Sequence, residues 1–221
     1  MTIEFQQYPK TPRLLRDIVI TEKLDGTNAG IQIIKMPLGS SINPVDTYRI
    51  TEVIVSDIGG VDDTGYPTHE YWVVAQSRNR IILPESDNQG FAKWVKENAS
   101  TLVEVLGEGT HFGEWYGVGI QGNPHQITGK RFALFNTHRW GDTAWFEERG
   151  LKDVHAVPIL YHGPFDEAMI KAVVDHLRVF GSTITPGAIA EGVVIYHAAS
   201  RQVYKVLCYQ DEVPKTLRDA A

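Results

Sequence analysis

The sequence predicts an α+β fold in which antiparallel sheets are flanked by helices. Segments rich in β-branched and aromatic residues recur between Gly, Pro and Asp, which is typical of strands, while two other stretches space their apolar residues as helices do. No internal repeat, low-complexity segment or linker-like shift in composition divides the 221 residues. With 43% apolar and 22% charged residues, the chain can bury a sizeable core. We therefore predict one domain over residues 1–221, with no separate C-terminal domain.

The predicted strands follow an irregular lead-in over residues 1–17. They are residues 18–23, 29–35, 49–56, 72–77, 110–116, 131–136, 156–161, 191–197 and 202–208. Residues 37–46 and 57–69 are predicted to be loops. The second of these loops is acidic, but its carboxylates do not have the spacing of an EF-hand calcium site.

Two helical segments are predicted. Apolar residues recur at helical spacing over residues 89–106, with a break near residues 98–100. A second helix is predicted to begin at Asp166 and Glu167, because acidic side chains stabilise the first turn of a helix, and to end at Gly181. Residues 211–221 can supply at most one further short helix.

Composition and charge exclude several classes of protein. No apolar run reaches membrane-spanning length, and the first residues do not show the basic-then-apolar pattern of a signal peptide. Cys208 is the only cysteine, which excludes an internal disulfide and a multi-cysteine zinc site. We expect no membrane partner and a location in the cytoplasm, or in the host cytoplasm for a viral protein. With a net charge of -6, binding of a nucleic acid would require a local basic cleft.

Residues 20–28 read Ile-Thr-Glu-Lys-Leu-Asp-Gly-Thr-Asn and contain the candidate nucleophile, Lys23. A lysine amine attacks a phosphoryl or carbonyl centre only when it is neutral, so burial or nearby cations must favour that form. Lys23 ends a β-branched run and is followed by Gly26, where the chain turns or a ligand can approach the backbone. The alternative is a surface lysine before an Asp-Gly turn. The short motif does not decide between them.

Residues 117–122 match the Gly-x-Gly-x-x-Gly pattern of dinucleotide-binding loops, and they follow a predicted strand. That fingerprint also needs a helix to begin at the loop. Asn-Pro-His at residues 123–125 breaks a helix instead, so we do not predict a Rossmann site.

Five further motifs follow the lysine motif in order. They are Ser-Arg-Asn-Arg at residues 77–80, Phe-Gly-Glu-Trp-Tyr-Gly at 112–117 leading into Gly-Ile-Gln at 119–121, Arg-Phe-Ala-Leu-Phe-Asn at 131–136, Glu-Gly-Val-Val-Ile at 191–195 and Val-Tyr-Lys-Val at 203–206. With this ordered set the chain resembles the covalent nucleotidyltransferases, a superfamily of RNA ligases, ATP-dependent DNA ligases and mRNA capping enzymes. Gly-Thr-Asn after the lysine and the Phe-Gly-Glu run make it most similar to the RNA ligase 2 group.

The resemblance implies an adenylation domain of the nucleotidyltransferase type, similar to the ATP-grasp fold. It implies an ATP-dependent RNA ligase that joins 3′-hydroxyl and 5′-phosphate ends through a lysyl-AMP and an adenylylated 5′ end. ATP, held as covalent AMP, and Mg²⁺ or Mn²⁺ are the implied cofactors, and nicked or broken RNA is the implied partner. We expect a monomer, and a helper protein is a candidate to replace the C-terminal domain that larger members carry.

The resemblance also implies roles for particular residues. The implied catalytic residues are Lys23, Lys205 and Arg78, and the two cations other than Lys23 would clamp phosphates and favour the neutral form of Lys23. The implied cofactor-binding residues are Glu22, Lys23, Asn28, Arg78, Glu114, Phe135, Glu191 and Lys205. Glu191 is also the implied metal ligand, because Mg²⁺ prefers oxygen donors.

Three of these implied residues have a more specific role. Glu114 could accept hydrogen bonds from ribose hydroxyls. Phe135 could stack on adenine, although from the sequence alone it could equally be a core aromatic on a strand. Asn28 would act in the later polynucleotide steps.

One motif departs from the family pattern and keeps other functions open. The last motif usually carries two lysines one residue apart, whereas Lys205 here is flanked at that spacing by Val203 and Leu207. This departure leaves a non-catalytic nucleotide- or nucleic-acid-binding module as an alternative. The choice of RNA over DNA depends on the Gly-Thr-Asn and Gly-Ile-Gln segments alone, so a small ATP-dependent DNA ligase and then a capping guanylyltransferase are further alternatives.

Overall fold

The structure is a computed structural model that describes residues 3–43, 49–141 and 144–212. The end of the predicted loop at 37–46 and most of the tail at 211–221 lie outside these ranges. The chain divides into two compact units, one of Met1–Lys23 with Pro158–Ala221 and one of Leu24–Val157. The single-domain organisation remains a prediction.

The described residues contain ten strands, five α-helices and one short 3-10 helix. The strands are β1 (Asp17–Lys23), β2 (Thr27–Pro37), β3 (Glu52–Val61), β4 (Pro67–Ser77), β5 (Gly109–Gly117), β6 (Lys130–Leu134), β7 (Val154–Ala156), β8 (Ile159–Pro164), β9 (Gly192–His197) and β10 (Gln202–Leu207). The helices are α1 (Phe91–Glu97), α2 (Ala99–Leu106), α3 (Thr137–Trp140), α4 (Ala144–Glu147) and α5 (Glu167–Phe180), and the 3-10 helix is Pro84–Ser86. None of the helices in these ranges combines the length and apolar character that a membrane crossing needs.

The first unit is a four-stranded antiparallel sheet in the order β10-β9-β1-β8, with α5 against one face. Alternate residues of β1, Ile18 and Ile20, point to that face and are fully buried in a cluster that includes Val174 and Leu177 of α5. Asp166 caps α5, because its side chain accepts a hydrogen bond from the backbone N–H of Ala168 at 2.8 Å.

The second unit is a six-stranded sheet in the order β3-β4-β2-β5-β6-β7. All of its pairings are antiparallel except that of β6 with β7. Helices α1 and α2 cover one face through an aromatic core in which Phe91 lies 5.3 Å from Trp115 and 5.2 Å from Phe132, measured between ring centroids. The helices separate at Asn98, so the predicted break near residues 98–100 is confirmed.

The predicted fold class is confirmed, and every predicted strand overlaps an observed one. The predicted loop at 57–69 is wrong over most of its length, because β3 continues to Val61 and β4 starts at Pro67. Asp62 closes the turn between them by accepting backbone hydrogen bonds from Thr64 at 2.8 Å and Tyr66 at 3.1 Å. The side chains at these strand ends are mostly exposed, and exposed strand residues can be as polar as those of a loop.

The predicted strand at 156–161 is two strands. Val157 and Pro158 separate β7, which belongs to the six-stranded sheet, from β8, which belongs to the four-stranded sheet. Helices α3 and α4 were not predicted, because four residues are too few to show helical periodicity.

Candidate active site

Lys23 and Glu191 form an ion pair in the first unit. The Lys23 Nζ donates to Glu191 Oε2 at 2.5 Å, and the two side chains are 24% and 28% exposed. Strand pairing explains the contact, because Lys23 is opposite Gly192 and Glu191 directly precedes that glycine. The fold therefore brings together the predicted nucleophile and the predicted metal ligand, which are 168 residues apart in sequence.

Gly192 leaves no side chain between Lys23 on β1 and Leu207 on β10, since all three residues form one row across the strands. A Cβ at Gly192 would lie 2.2 Å from the carbonyl oxygen of Val206, and its φ of +154° is rare for other residues. The glycine of the Glu-Gly motif is thus required by the close approach of β9 and β10.

Lys205 lies on the same face of this sheet as Lys23. Lys205 is opposite Val194, and Val194 is opposite Thr21, so these three side chains share a face with Lys23 two residues beyond Thr21. Strand spacing of about 4.8 Å puts the Cα of Lys205 about 10 Å from β1. Lys205 is exposed on this face.

Glu22 points to the opposite face, because successive side chains of a strand alternate. Glu22 is 1% exposed. Its carboxylate accepts hydrogen bonds from Ser182 Oγ at 2.5 Å, from the Thr183 backbone N–H at 2.8 Å and from the Thr183 hydroxyl. The structure therefore does not bring the Glu22 carboxylate together with the Lys23 amine.

In the second unit, Asn28 and Glu114 are directly opposite each other on β2 and β5 and share the face that α1 and α2 leave uncovered. Phe135 follows β6 two residues after Ala133, which is opposite Glu114, and its backbone N–H donates to Phe112 O at 2.9 Å. Phe135 is 41% exposed, so it does not serve as a core aromatic. Three predicted site residues therefore lie on this one face of the second sheet.

Arg78 lies in the turn that follows β4, and its side chain is exposed. Its neighbour in the predicted motif, Arg80, donates through its guanidinium to the backbone oxygen of Ser86 at 3.0 Å. Arg78 is thus on the surface of the second unit, where it is accessible to an anionic ligand.

Sequence reasoning missed the support of the turn after Lys23. His125 is 1% exposed, and its Nε2 accepts a hydrogen bond from the Asp25 backbone N–H at 3.0 Å. The Gln121 side chain donates to Gly26 O at 3.3 Å. A Cβ at Gly26 would lie 2.5 Å from Trp115 O, so this glycine is required by close packing against β5. These contacts join residues about 100 positions apart in sequence, so no local sequence pattern predicts them.

His155 forms a hydrogen bond with Tyr116, a residue that lies close to Gly26 of this turn. The Tyr116 hydroxyl is 2.7 Å from His155 Nε2, and His155 Nδ1 is 2.7 Å from Ala156 O. Burial lowers the pKa of His155 below its ordinary value; the hydrogen bond to Ala156 O opposes this, and the nearby Arg131 adds to it. His155 is therefore neutral near pH 7; its Nδ1 donates to Ala156 O, and its Nε2 accepts a hydrogen bond from the Tyr116 hydroxyl.

Beside Lys23, Glu191 is the carboxylate that could bind a divalent metal. Within the described ranges, no three His, Cys, Asp or Glu side chains group closely enough to hold a metal ion. Glu191, partly exposed and beside Lys23, offers oxygen donors. One carboxylate fits Mg²⁺ or Mn²⁺ that arrives with nucleotide phosphates, because Mg²⁺ keeps several waters and takes few protein ligands.

The sequence model of the RNA ligase family matches residues 16–207. A search of curated protein sequences finds no match. The matched segment contains Lys23, Glu191 and Lys205, together with the sheet face of the second unit that carries Glu114.

Solved structures of Naegleria gruberi RNA ligase variants have a similar fold. Two variants with ATP and Mn give TM-scores of 0.55 and 0.53 at 18% and 16% identity, covering 88% and 87% of this chain. An apo variant gives a TM-score of 0.52 at 17% identity and covers 87% of this chain. The match covers 50%, 50% and 49% of these three chains, so this chain spans about half the length of the structures it matches.

Proposed function

Because the chain belongs to the RNA ligase family, we propose that it is an ATP-dependent ligase that joins 3′-hydroxyl and 5′-phosphate ends of RNA. The observation that carries this proposal is the ion pair of Lys23 with Glu191. The pair holds a partly exposed lysine at a strand end and puts beside it a carboxylate that can take the ammonium proton, which attack on a nucleotide phosphate by the neutral amine requires.

Lys23 is the proposed nucleophile. Its ammonium gives up a proton, and the nitrogen then attacks the α-phosphorus of ATP. The new P–N bond forms as the bond to the β-phosphate oxygen breaks, and pyrophosphate leaves with that electron pair. An oxygen of the RNA 5′-phosphate next attacks the phosphorus of lysyl-AMP, and the P–N bond breaks to return the Lys23 amine. The 3′-hydroxyl then attacks the adenylylated 5′-phosphate, so that the phosphodiester bond forms as AMP leaves.

Glu191 has three proposed roles at the first step. Its carboxylate holds the Lys23 side chain in position through the 2.5 Å contact, and it offers a proton acceptor beside the ammonium. The same oxygens are the proposed ligand for Mg²⁺ or Mn²⁺, which supplies charge stabilisation for the triphosphate when bound.

The remaining proposed roles belong to residues that bind phosphate or nucleoside. Lys205 and Arg78 would pair with phosphate oxygens, and Glu114 would accept hydrogen bonds from ribose hydroxyls. Phe135, whose ring is partly exposed, would stack on adenine, and Asn28 beside Glu114 would act at the later polynucleotide steps. A monomeric state, a helper protein and a cytoplasmic location remain predictions.

A strand-joining assay tests the proposed function. We expect wild-type protein with ATP and Mg²⁺ to seal an RNA nick that carries a 5′-phosphate, and the Lys23→Ala variant to leave it open. Lys171→Ala is a matched control, because Lys171 is an exposed lysine that pairs with Asp175 on α5. A wild-type protein that seals no RNA would contradict the proposal.

A DNA substrate in this assay, together with nucleotide-transfer and ATP-binding measurements, separates the alternative functions. Equal or better sealing of an all-DNA nick would identify a DNA ligase. Transfer of GMP from GTP in place of AMP from ATP would identify a capping guanylyltransferase. ATP binding without sealing or covalent AMP would identify a non-catalytic binding module.

A further inference from the structure

Residues 181–190 connect α5 to β9 without regular secondary structure, and we call them the α5–β9 loop. Glu191, which pairs with Lys23, directly follows this loop. The downstream end of the loop is fixed by the sheet, because Cys208 N–H donates to Glu191 O at 2.9 Å and continues the β9–β10 ladder. Its upstream end has no ladder to join. What holds that end decides how firmly Glu191 is placed.

The upstream end is bound to Glu22. Ser182 and Thr183 give the Glu22 carboxylate two hydroxyl hydrogen bonds and one backbone hydrogen bond. Ser182 Oγ also accepts from Ile184 N at 3.1 Å, and Ser182 N–H donates to Ala188 O at 2.8 Å, which closes the loop on itself. The loop is therefore tied to β1 at Glu22 on one face and at Lys23 on the other.

Burying a carboxylate costs desolvation free energy, so its presence at position 22 indicates a specific structural role. Glu22 is 1% exposed, and Ser182, which donates to it, is also 1% exposed. An ionised carboxylate removed from water is tolerated only when hydrogen bonds replace its hydration, and bonds to a charged acceptor are stronger than neutral ones. An apolar residue at this position would pack without that cost, but it would not hold Ser182 and Thr183.

We propose that Glu22 is a positioning residue that fixes the α5–β9 loop and thereby holds Glu191 against Lys23. This inference rests on the proposed adenylation of Lys23, and it replaces the nucleotide-binding role that the family resemblance implies for the Glu22 side chain. Glu22 acts through Glu191 and touches neither ATP nor the reacting atoms.

Thr183 offers a matched pair of variants that avoids altering the buried carboxylate. Thr183→Val keeps the shape of the side chain but removes the hydroxyl that donates to Glu22, whereas Thr183→Ser keeps the hydroxyl. Thr183 is exposed, so both variants are expected to fold. Glu22→Gln is the direct variant, and a urea titration of each protein shows that it is folded before its rate is measured.

The experiment measures the rate of lysyl-AMP formation in a single turnover over a range of ATP concentrations. We expect Glu22→Gln and Thr183→Val to lower the maximal rate about tenfold, as loss of a residue that orients a functional side chain does, with the half-saturating ATP concentration unchanged. Thr183→Ser should retain the wild-type rate. A raised half-saturating ATP concentration with an unchanged maximal rate would make Glu22 a nucleotide ligand and overturn the inference. Unchanged rates in folded variants would also overturn it.

Amide hydrogen exchange separates failure of this inference from failure of the proposed function. We expect Thr183→Val and Glu22→Gln to speed exchange across residues 181–190, beginning with the Thr183 amide that donates to Glu22. This readout needs no enzymatic activity. If wild-type protein takes up no AMP, the proposed function fails, and exchange still decides whether Glu22 holds the loop. Unchanged exchange in both variants would show that it does not.

Discussion

At the scale of single residues, the structure distinguishes the two positions at which the last motif could carry its second lysine. Val203 and Leu207 both lie on the sheet face of Lys205, but Val203 is 65% exposed and Leu207 is 5% exposed. Only position 203 could carry a solvated ammonium. The family pattern alone does not distinguish these two positions, because strand alternation puts both on the same face.

We predict that Val203→Lys leaves the free energy of unfolding within about 0.5 kcal/mol of wild type, as surface substitutions usually do. Leu207→Lys should cost about 3 kcal/mol or more, because it buries a charge without a partner. Urea unfolding of the two variants measures both values. Equal stability of the two variants would show that the β10 register described here is wrong.

His111 and His155, two histidines whose pKa values are lowered by burial, predict how stability depends on pH. Burial is the main cause that lowers the pKa of His155. Burial is also the main cause that lowers the pKa of His111; the hydrogen bond to Gly107 O raises this pKa, and the charge of Arg139 lowers it further. Below about pH 6.5 the unfolded chain binds protons that the folded chain does not. The stability that these histidines support is therefore complete above that pH and is lost as the pH falls through their folded pKa values.

We predict that the urea midpoint of wild-type protein falls between about pH 7.5 and pH 5.5. It should fall less in His155→Gln, which cannot gain the proton, with the remaining loss due to His111. A midpoint that rises on acidification, or that falls equally in both proteins, would contradict the neutral His155 bonded to Tyr116.

At the scale of elements, the close approach of β9 and β10 at Gly192 connects stability to the site. We predict that Gly192→Ala costs about 3 kcal/mol or more in unfolding free energy, since a Cβ there meets Val206 O at 2.2 Å. Gly187→Ala is the matched control. Gly187 also has a positive φ, of +85°, but its Cβ would meet nothing within 4 Å, so the cost should be about 1 to 2 kcal/mol.

Urea unfolding compares the two glycine variants. The difference between their unfolding free energies measures the cost of the clash with Val206 O, over and above the cost of a side chain at a positive φ. If Gly187→Ala is as destabilising as Gly192→Ala, the close approach of the two strands is not what requires glycine.

Elements with strong periodicity could be predicted from sequence, and those shaped by tertiary contacts could not. Helix α5 shows both its apolar spacing and its Asp166 cap, and its start and end agree with the prediction. The split at Val157 and Pro158 depends on which sheet each side joins, which local composition does not record. The ordered motifs predict Lys23 and Glu191 as site residues, but the contacts of the Glu22 carboxylate and the support from His125 depend on partners 100 or more residues away.

At the scale of the whole molecule, the net charge of -6 predicts that RNA is held by a few local cations. The candidates on the second unit are Arg78, Arg80, Lys130 and Arg131. Each phosphate contact contributes about 0.7 to 0.9 to the log–log slope of affinity against salt. We predict a shallow slope, weak binding at physiological salt, and a sealing rate that salt reduces more than it reduces self-adenylation. Filter binding and single-turnover kinetics across a salt series check this, and tight binding with a steep slope would contradict it.

The central claim is that Lys23 becomes covalently adenylylated, and intact-mass spectrometry with peptide mapping tests it most directly. After incubation with ATP and Mg²⁺, we expect wild-type protein to gain the mass of one AMP on the peptide that contains Lys23. Lys23→Ala should gain nothing, and Lys171→Ala should behave as wild type. No adduct on wild-type protein, or an adduct that persists in Lys23→Ala, would contradict the claim.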